Sequence, residues 1–361
     1  MAEVKIQEFR AGAVCNERFQ NEIVPAAQPV VFRNLLDDRP VVRAAHDGSQ
    51  ALRSYFRRFD IGNFVKVKVA PPEAKGRLFY DDDLAGFNFR KRTTRIDAAL
   101  DTLLAMAKDE RPSAFAIQSI STRAHLPGFD RDNPMPLLPD TVEPRLWMGN
   151  AIIVAAHYDA SENIACAVAG RRRFTLFPPE KVCDLYPGPF ELTPNGPPVS
   201  MVDFDAPDHE RYPRFANALA AASVVDLTPG DAIYIPYLWW HHVRSIDAIS
   251  LLVNYWWKPT TATYGNPIDA MRLSMMAIKN LPDPHRAAWR AMFDQYVFME
   301  NGPPGTHLPV ASRGVLGELT DEESQRLGNA MTRSFANPPK GRARRLAPWL
   351  RRAALAQWRR R

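Results

Sequence analysis

Between residues 151 and 257 the chain runs as short apolar segments cut by glycine and proline turns, and this spacing constrains the fold more than any other feature. Ala151–Ala156, Ile164–Val168 and Arg172–Phe177 follow one another, with a turn at Gly170 and a stop at Pro178–Pro179. A second block opens at the Pro229–Gly230–Asp231 turn, runs through Ile235–Pro236 into Trp239–Trp240–His241–His242, and is followed by the strand Ile249–Trp256. Short strands separated by such turns favour an all-β barrel or sandwich over a βαβ repeat.

Flanking segments follow the same reading. Pro29–Arg33 and Ala114–Ile120 read as strands, and Phe64–Val69 alternates as a strand does. Ser49–Phe59 reads as a short helix with Ser49 as its N-cap, and Ile96–Lys108 has helical spacing through Ile96, Leu100, Leu103 and Leu104. The adjacent carboxylates Asp81, Asp82 and Asp83 read as a solvated turn between aromatic anchors rather than a metal site. Pro187–Pro213 is long and loop-like, the kind of segment that serves as a lid or substrate wall. Ala216–Ala222 reads as a short helix.

Beyond about residue 260 the pattern turns helical. Pro267–Leu281, Pro284–Met299 and Asp321–Phe335 carry apolar residues at three- and four-residue spacing. The expected organisation is a strand-rich domain over 1–258, a helical appendage over 259–337 that could pair two copies, and a basic tail over 338–361.

The net charge of +6 is local. Nine cations from Lys340 to Arg361 sit in a tail without acids, and removing them leaves the body at about −3. Nucleic acid is therefore not an expected partner, apart from contact through the tail. The three cysteines, Cys15, Cys166 and Cys183, show no metal-type pairing and fit a reducing compartment. No run of eighteen apolar residues occurs, and Met1–Arg10 has no secretory pattern. A soluble, cytoplasmic protein without a membrane span is expected.

The chemistry gathers on two motifs. In an extended segment, His157 and Asp159 point to one face, because strand side chains repeat every two residues. A distant second imidazole from His241–His242 would complete a 2-His-1-carboxylate triad, which leaves three positions open on a non-haem Fe(II). A bare His-x-Asp means little alone; the second motif and its order raise its weight. No nucleophile elbow or activated cysteine context is present.

These motifs also carry a family likeness. His157–Tyr158–Asp159, Asn163, Gly170, Phe174–Pro179, Leu185–Pro187, Val202–Phe204, Gly230–His242 and Asn254–Trp256 resemble the cupin-like subgroup of Jumonji-type (JmjC) oxygenases, and within it the asparaginyl-hydroxylase branch. The likeness spans roughly residues 25–258 and is dense from about 150. It implies a mainly β fold, a double-stranded β-helix of jelly-roll or cupin-like barrel form with flanking helices and the C-terminal helical appendage. It also implies a hydroxylase using Fe(II) and 2-oxoglutarate. By position, His157, Asp159 and His241 match the iron ligands, with His242 pointing away as a structural histidine. Arg172 stands where the family usually has the lysine that holds the far carboxylate of 2-oxoglutarate, and strand alternation sends it inward while Arg171 and Arg173 face out. Asn163 and Asn254 match further co-substrate residues; Tyr80, Asp81, Gln118 and Trp256 match substrate-side positions, and Trp239 is a candidate pocket residue beside them.

The chain departs from the asparaginyl-hydroxylase pattern as well. Ala116 and Val154 replace a tyrosine and a threonine that help hold 2-oxoglutarate, and Pro198–Val199 replace an Arg-Gln pair that contacts the peptide. The same target asparagine is not expected. Hydroxylation of a protein or peptide side chain, or of an amino-acid-like substrate, is the first reading. The alternatives are a small-metabolite hydroxylase and a non-catalytic metal-binding module that has lost productive 2-oxoglutarate binding. An RNA-modifying oxygenase would draw only on the basic tail.

Overall fold

The computed structural model describes residues 6–258 and 265–336, with side chains through residue 331. The basic tail and the first five residues lie outside the described residues. The chain divides into two compact units, Met1–Thr261 and Ala262–Arg361.

Thirteen strands occur among the described residues: β1 (Gln7–Arg10), β2 (Val30–Arg33), β3 (Val65–Ala70), β4 (Arg90–Thr94), β5 (Ala114–Ser121), β6 (Pro144–Gly149), β7 (Ile153–His157), β8 (Glu162–Ala169), β9 (Arg172–Phe177), β10 (Ser223–Leu227), β11 (Ala232–Ile235), β12 (Trp240–Ser245) and β13 (Ser250–Trp257). They form a nine-stranded sheet in the order β1-β2-β11-β8-β13-β6-β5-β3-β4 and a four-stranded sheet in the order β10-β9-β12-β7. Only β1 and β2 run parallel; the other strand pairs are antiparallel.

The mainly β double-stranded β-helix is not what the chain forms. Neither sheet closes into a barrel or curls; β1 and β4 remain edges of one, and β10 and β7 of the other. The architecture is mixed α/β. Its physical reason lies in what covers the large sheet. On one face, the helices Pro40–His46, Ser49–Arg57 and Ile96–Met106 bring Val42, Leu52, Phe56, Leu100 and Leu103 against Val65, Ile117, Leu146 and Val253. On the other, Ala165, Ala167, Ile233 and Leu252 meet Val154, Phe174, Leu176 and Val243 of the small sheet. A sheet held between helices and a second sheet presents one face to each and has no need to wrap around itself.

Alternation explains β8. Ile164, Cys166 and Val168 join the helix-side core while Ala165 and Ala167 face the small sheet, so all eight residues are buried. The β8–β9 turn requires glycine: Gly170 has φ +68°, and a Cβ there would collide with the Ile249 carbonyl. In the second motif Asp231 is structural. Its buried carboxylate accepts from the backbone N–H of Thr228 and Asn34, at 3.0 Å each, and pairs with Arg33 at 2.9 Å.

Ser49 is the first helical residue rather than the cap; Gly48 holds that position, and no side chain caps the helix. The Asp81–Asp83 stretch is a turn, as read, with the Asp81 carboxylate accepting from Ala85 N–H at 3.0 Å. Segment 187–213 contains no strand or helix but is tied down by bridges from Val199 to His157 and from Ser200 to Pro187.

In the second unit, helices Pro267–Ile278, Asp283–Tyr296 and Asp321–Ala336 appear where the apolar spacing placed them. Met271, Met275, Ile278, Trp289, Phe293 and Phe298 line an open groove there. No helix among the described residues is long and apolar enough to cross a membrane.

Candidate metal centre

β7 carries a buried apolar run to its last residue, His157, and pairs antiparallel with β12, which sets His241 directly opposite. The imidazole centroids lie 4.3 Å apart. Asp159, two residues past His157, brings its Oδ2 to 3.6 Å from His241 Nε2. One ligand atom from each of the three lies within 4.8 Å of the others. The register shifts between His241 and Val243, and His242 turns to the other face, where its ring stacks on Phe204 at 4.5 Å.

The donor set suits a metal ion. His157 Nδ1 lies 3.0 Å from the Ala155 carbonyl and His241 Nδ1 lies 3.1 Å from the Trp239 carbonyl. A carbonyl can only accept, so each Nδ1 carries the proton and each Nε2 offers a lone pair. Burial, helped by the neighbouring His157, pulls the His241 pKa below its ordinary value and so favours the neutral imidazole, which is the form that binds metal. The Trp256 indole N–H donates to Asp159 Oδ2 at 3.2 Å and fixes the carboxylate's orientation.

A cavity of about 70 Å³ opens from these three residues, walled by Trp147, Val154, Asn163, Arg172, Asn195, Asn254 and Trp256. Arg172 is 4 % exposed and its Nε donates to Ser250 Oγ at 2.8 Å. No carboxylate among the described residues pairs with it, and burial pulls its pKa down to about 9, which leaves it charged at neutral pH. Its neighbours behave as alternation requires: Arg171 pairs with Asp247 and Arg173 with Asp226, each at 2.8 Å, on the exposed side. Asn163 and Asn254 are linked at 3.2 Å, and Asn254 Oδ1 accepts from Trp147 Nε1 at 2.7 Å.

Of the other candidate residues, Trp256 stands on the cavity wall. Tyr80 is buried among Phe79, Phe87 and Leu192, with its hydroxyl donating to the Leu192 carbonyl at 2.9 Å. Asp81 closes its own turn. Gln118 accepts from Lys68, and Trp239 lies in the apolar layer between the sheets with its N–H on the Ala27 carbonyl. Ala116 belongs to that layer too, whereas Val154 reaches the cavity. Trp147, Ser250 and Asn195 were not singled out from the sequence. Ser250 and Trp147 could have been found by alternation, since Ser250 shares its strand face with Asn254; Asn195 sits in an irregular segment without a period.

Residues 16–263 match the cupin-like domain family, and the chain belongs to it. It is 28 % identical to Jumonji C domain-containing protein 5 of Drosophila melanogaster over 67 % of this chain and 57 % of that one. JmjC domain-containing protein D of Dictyostelium discoideum is 36 % identical over 63 % of this chain and 51 % of its own length. Lysine-specific demethylase JMJ31 of Arabidopsis thaliana is 35 % identical over 31 % of this chain and 20 % of its own. The chain thus spans between a fifth and about three-fifths of these relatives. In a chain of this family, the His-His-Asp triad is a donor set consistent with Fe(II) binding.

Proposed function

We propose that this member of the cupin-like family is an Fe(II)- and 2-oxoglutarate-dependent oxygenase that hydroxylates a protein or peptide side chain or an amino-acid-like substrate. The observation that carries the reading is Arg172. A guanidinium buried without a counter-ion is expensive, and it shares its cavity with the triad, so the cavity is built for an anion lying between the two. His157, Asp159 and His241 would hold iron, which when bound couples the oxidative decarboxylation of 2-oxoglutarate by O2 to hydroxylation of the substrate.

The chain's own residues do the positioning. Arg172 offers a planar fork of donors suited to a carboxylate, and Ser250 fixes that fork by holding Nε. Asn163 and Asn254 supply amide groups at the wall, where Val154 supplies none. Trp147 anchors Asn254, and Trp256 anchors Asp159, so both walls are set before ligand arrives. Relatives named as lysine-specific demethylases support a peptidyl substrate. A homodimer through the C-terminal helices is a further part of the proposal, supported by the exposure of Met276 and Phe298 at 70 % and 65 %. Light scattering of the intact chain reads it directly.

The test of the main reading is an anaerobic titration of metal-free protein with Fe(II) and then 2-oxoglutarate, followed by the visible charge-transfer band of the chelate. The native protein develops the band, and His157→Ala and Asp159→Ala do not. Iron binding without a band would sink the co-substrate assignment; no iron binding would sink the oxygenase.

A further inference from the structure

Among the described residues, one cation bonds the tip of segment 187–213 to the large sheet, beside the Tyr80 hydroxyl on the Leu192 carbonyl. Lys68, on β3, lies beside Ala116 of β5 and Lys91 of β4. Its ammonium donates to Gln118 Oε1 at 2.5 Å, to the Pro194 carbonyl at 2.7 Å and to Asn195 Oδ1 at 2.6 Å. All three donors are used, two of them on a stretch more than 120 residues away in sequence. Asn195, so gripped, forms part of the wall of the cavity that holds the triad.

This closed arrangement carries two penalties. No carboxylate among the described residues pairs with Lys68, although burial strips its ammonium of water and Lys91 opposes its charge. The Gln118 Nε2, left over once Oε1 faces the lysine, is buried without an acceptor. Both penalties fall away when the tip lifts and water enters, while the three charge-assisted bonds are lost.

We propose that Lys68 is a positioning residue: it latches Pro194–Asn195 against the sheet and so sets the wall of the reaction cavity at Asn195. Its consequence for substrate approach rests on the oxygenase reading; the latch itself does not. The farther limb of the segment is tied independently, by Ser200 N–H on the Ala156 carbonyl at 2.7 Å and by Arg77 on Val202 and Asp203. On the near side the Tyr80 hydroxyl holds the Leu192 carbonyl at 2.9 Å, so loss of the latch should free Pro194–Gly196 alone.

Hydrogen exchange of the metal-free full chain tests this without any iron chemistry, so a failed latch and a failed oxygenase assignment are separate results. In Lys68→Met, the Gly196 amide, which donates to Thr193 Oγ1 at 3.0 Å beside the latch, exchanges about tenfold faster or more, as loss of charge-assisted bonds predicts, while β3, β5 and residues 199–203 keep their protection. Lys68→Arg, which keeps a cation and donors, restores most of the protection. Asn195→Ala removes an acceptor from the segment's side and leaves the buried lysine alone, so it reads the latch even if Lys68→Met fails to fold; a several-fold increase at the tip is expected. Unchanged exchange at the tip in Lys68→Met or Asn195→Ala overturns the proposal. So does an equal rise in the Met and Arg variants that spreads through β3 and β5, because that is lost packing and not a lost latch.

Discussion

His157 and His241 hold the same register position on neighbouring strands, with ring centroids 4.3 Å apart and each Nδ1 turned to the carbonyl two residues before it. Burial and the neighbouring ring favour the neutral form of His241, and the free nitrogens of the pair face one point. Asp159 supplies the third donor from the residues just past β7. The triad is thus a product of strand pairing.

Trp256→Phe should weaken metal binding while leaving all three ligands in place. The indole N–H that orients Asp159 is lost, and an outer partner of this kind is worth about ten- to a hundredfold in affinity. Competition against a chelator of known affinity measures it; an unchanged affinity would show that Asp159 needs no orienting bond.

Arg172→Met should separate stability from function. Removing a buried guanidinium that lacks a counter-ion raises the melting temperature of the ligand-free protein by about 1–2 °C, the equivalent of roughly 1 kcal/mol at this size. Fe(II) binding persists, and the band with 2-oxoglutarate is lost. A fall in melting temperature would mean that the charge is compensated by something other than the Ser250 bond.

Glu162 gives a pH dependence. Burial raises its carboxyl above the usual range, and the bonds from the Tyr234 hydroxyl and Tyr237 N–H only partly offset this. The folded state therefore holds a proton that the unfolded chain releases, so stability from this group is present in acid and lost as pH rises through the folded value. Glu162→Gln carries no charge and keeps an acceptor for Tyr234. Its melting temperature relative to the native protein should climb between pH 4 and pH 8; a flat or falling difference would show that the ionised carboxylate is well accommodated.

Gly170→Ala should destabilise the β8–β9 turn by about 1–3 kcal/mol, because φ is +68° and the new Cβ meets the Ile249 carbonyl. Denaturant unfolding reads this, and a loss below that range would mean that the turn relaxes.

Much of the site was legible before the fold was known, and the reason differs by residue. His157 and Asp159 are two apart, and Arg171, Arg172 and Arg173 are consecutive, so the two-residue period of a strand sorts them by face without any knowledge of the partner strands. Asp231 behaves otherwise. The Pro-Gly-Asp motif marks a turn, but that its carboxylate would tie Arg33 and Asn34 depends on β2 pairing with β11 across some 200 residues. The substrate-side candidates show the limit of positional likeness: Tyr80 and Gln118 do stand near the segment 187–213, but the Tyr80 hydroxyl and Gln118 Oε1 are taken up by Leu192 and Lys68.

The sequence by itself determined what has a short period: the strands and helices, the turn at Gly170, the inward course of Arg172 and the ligand types of the triad. Only the tertiary structure decided how the strands were shared between sheets, that neither sheet closed, and that Lys68, Ser250, Trp147 and Asn195 became neighbours of the site. The physical reason is one of range. Backbone sterics and side-chain alternation act over a few residues and are written into composition and spacing. Which edges pair, and which buried donor meets which acceptor, is settled by the packing of the whole core, where helices cover one face of the large sheet and the small sheet the other.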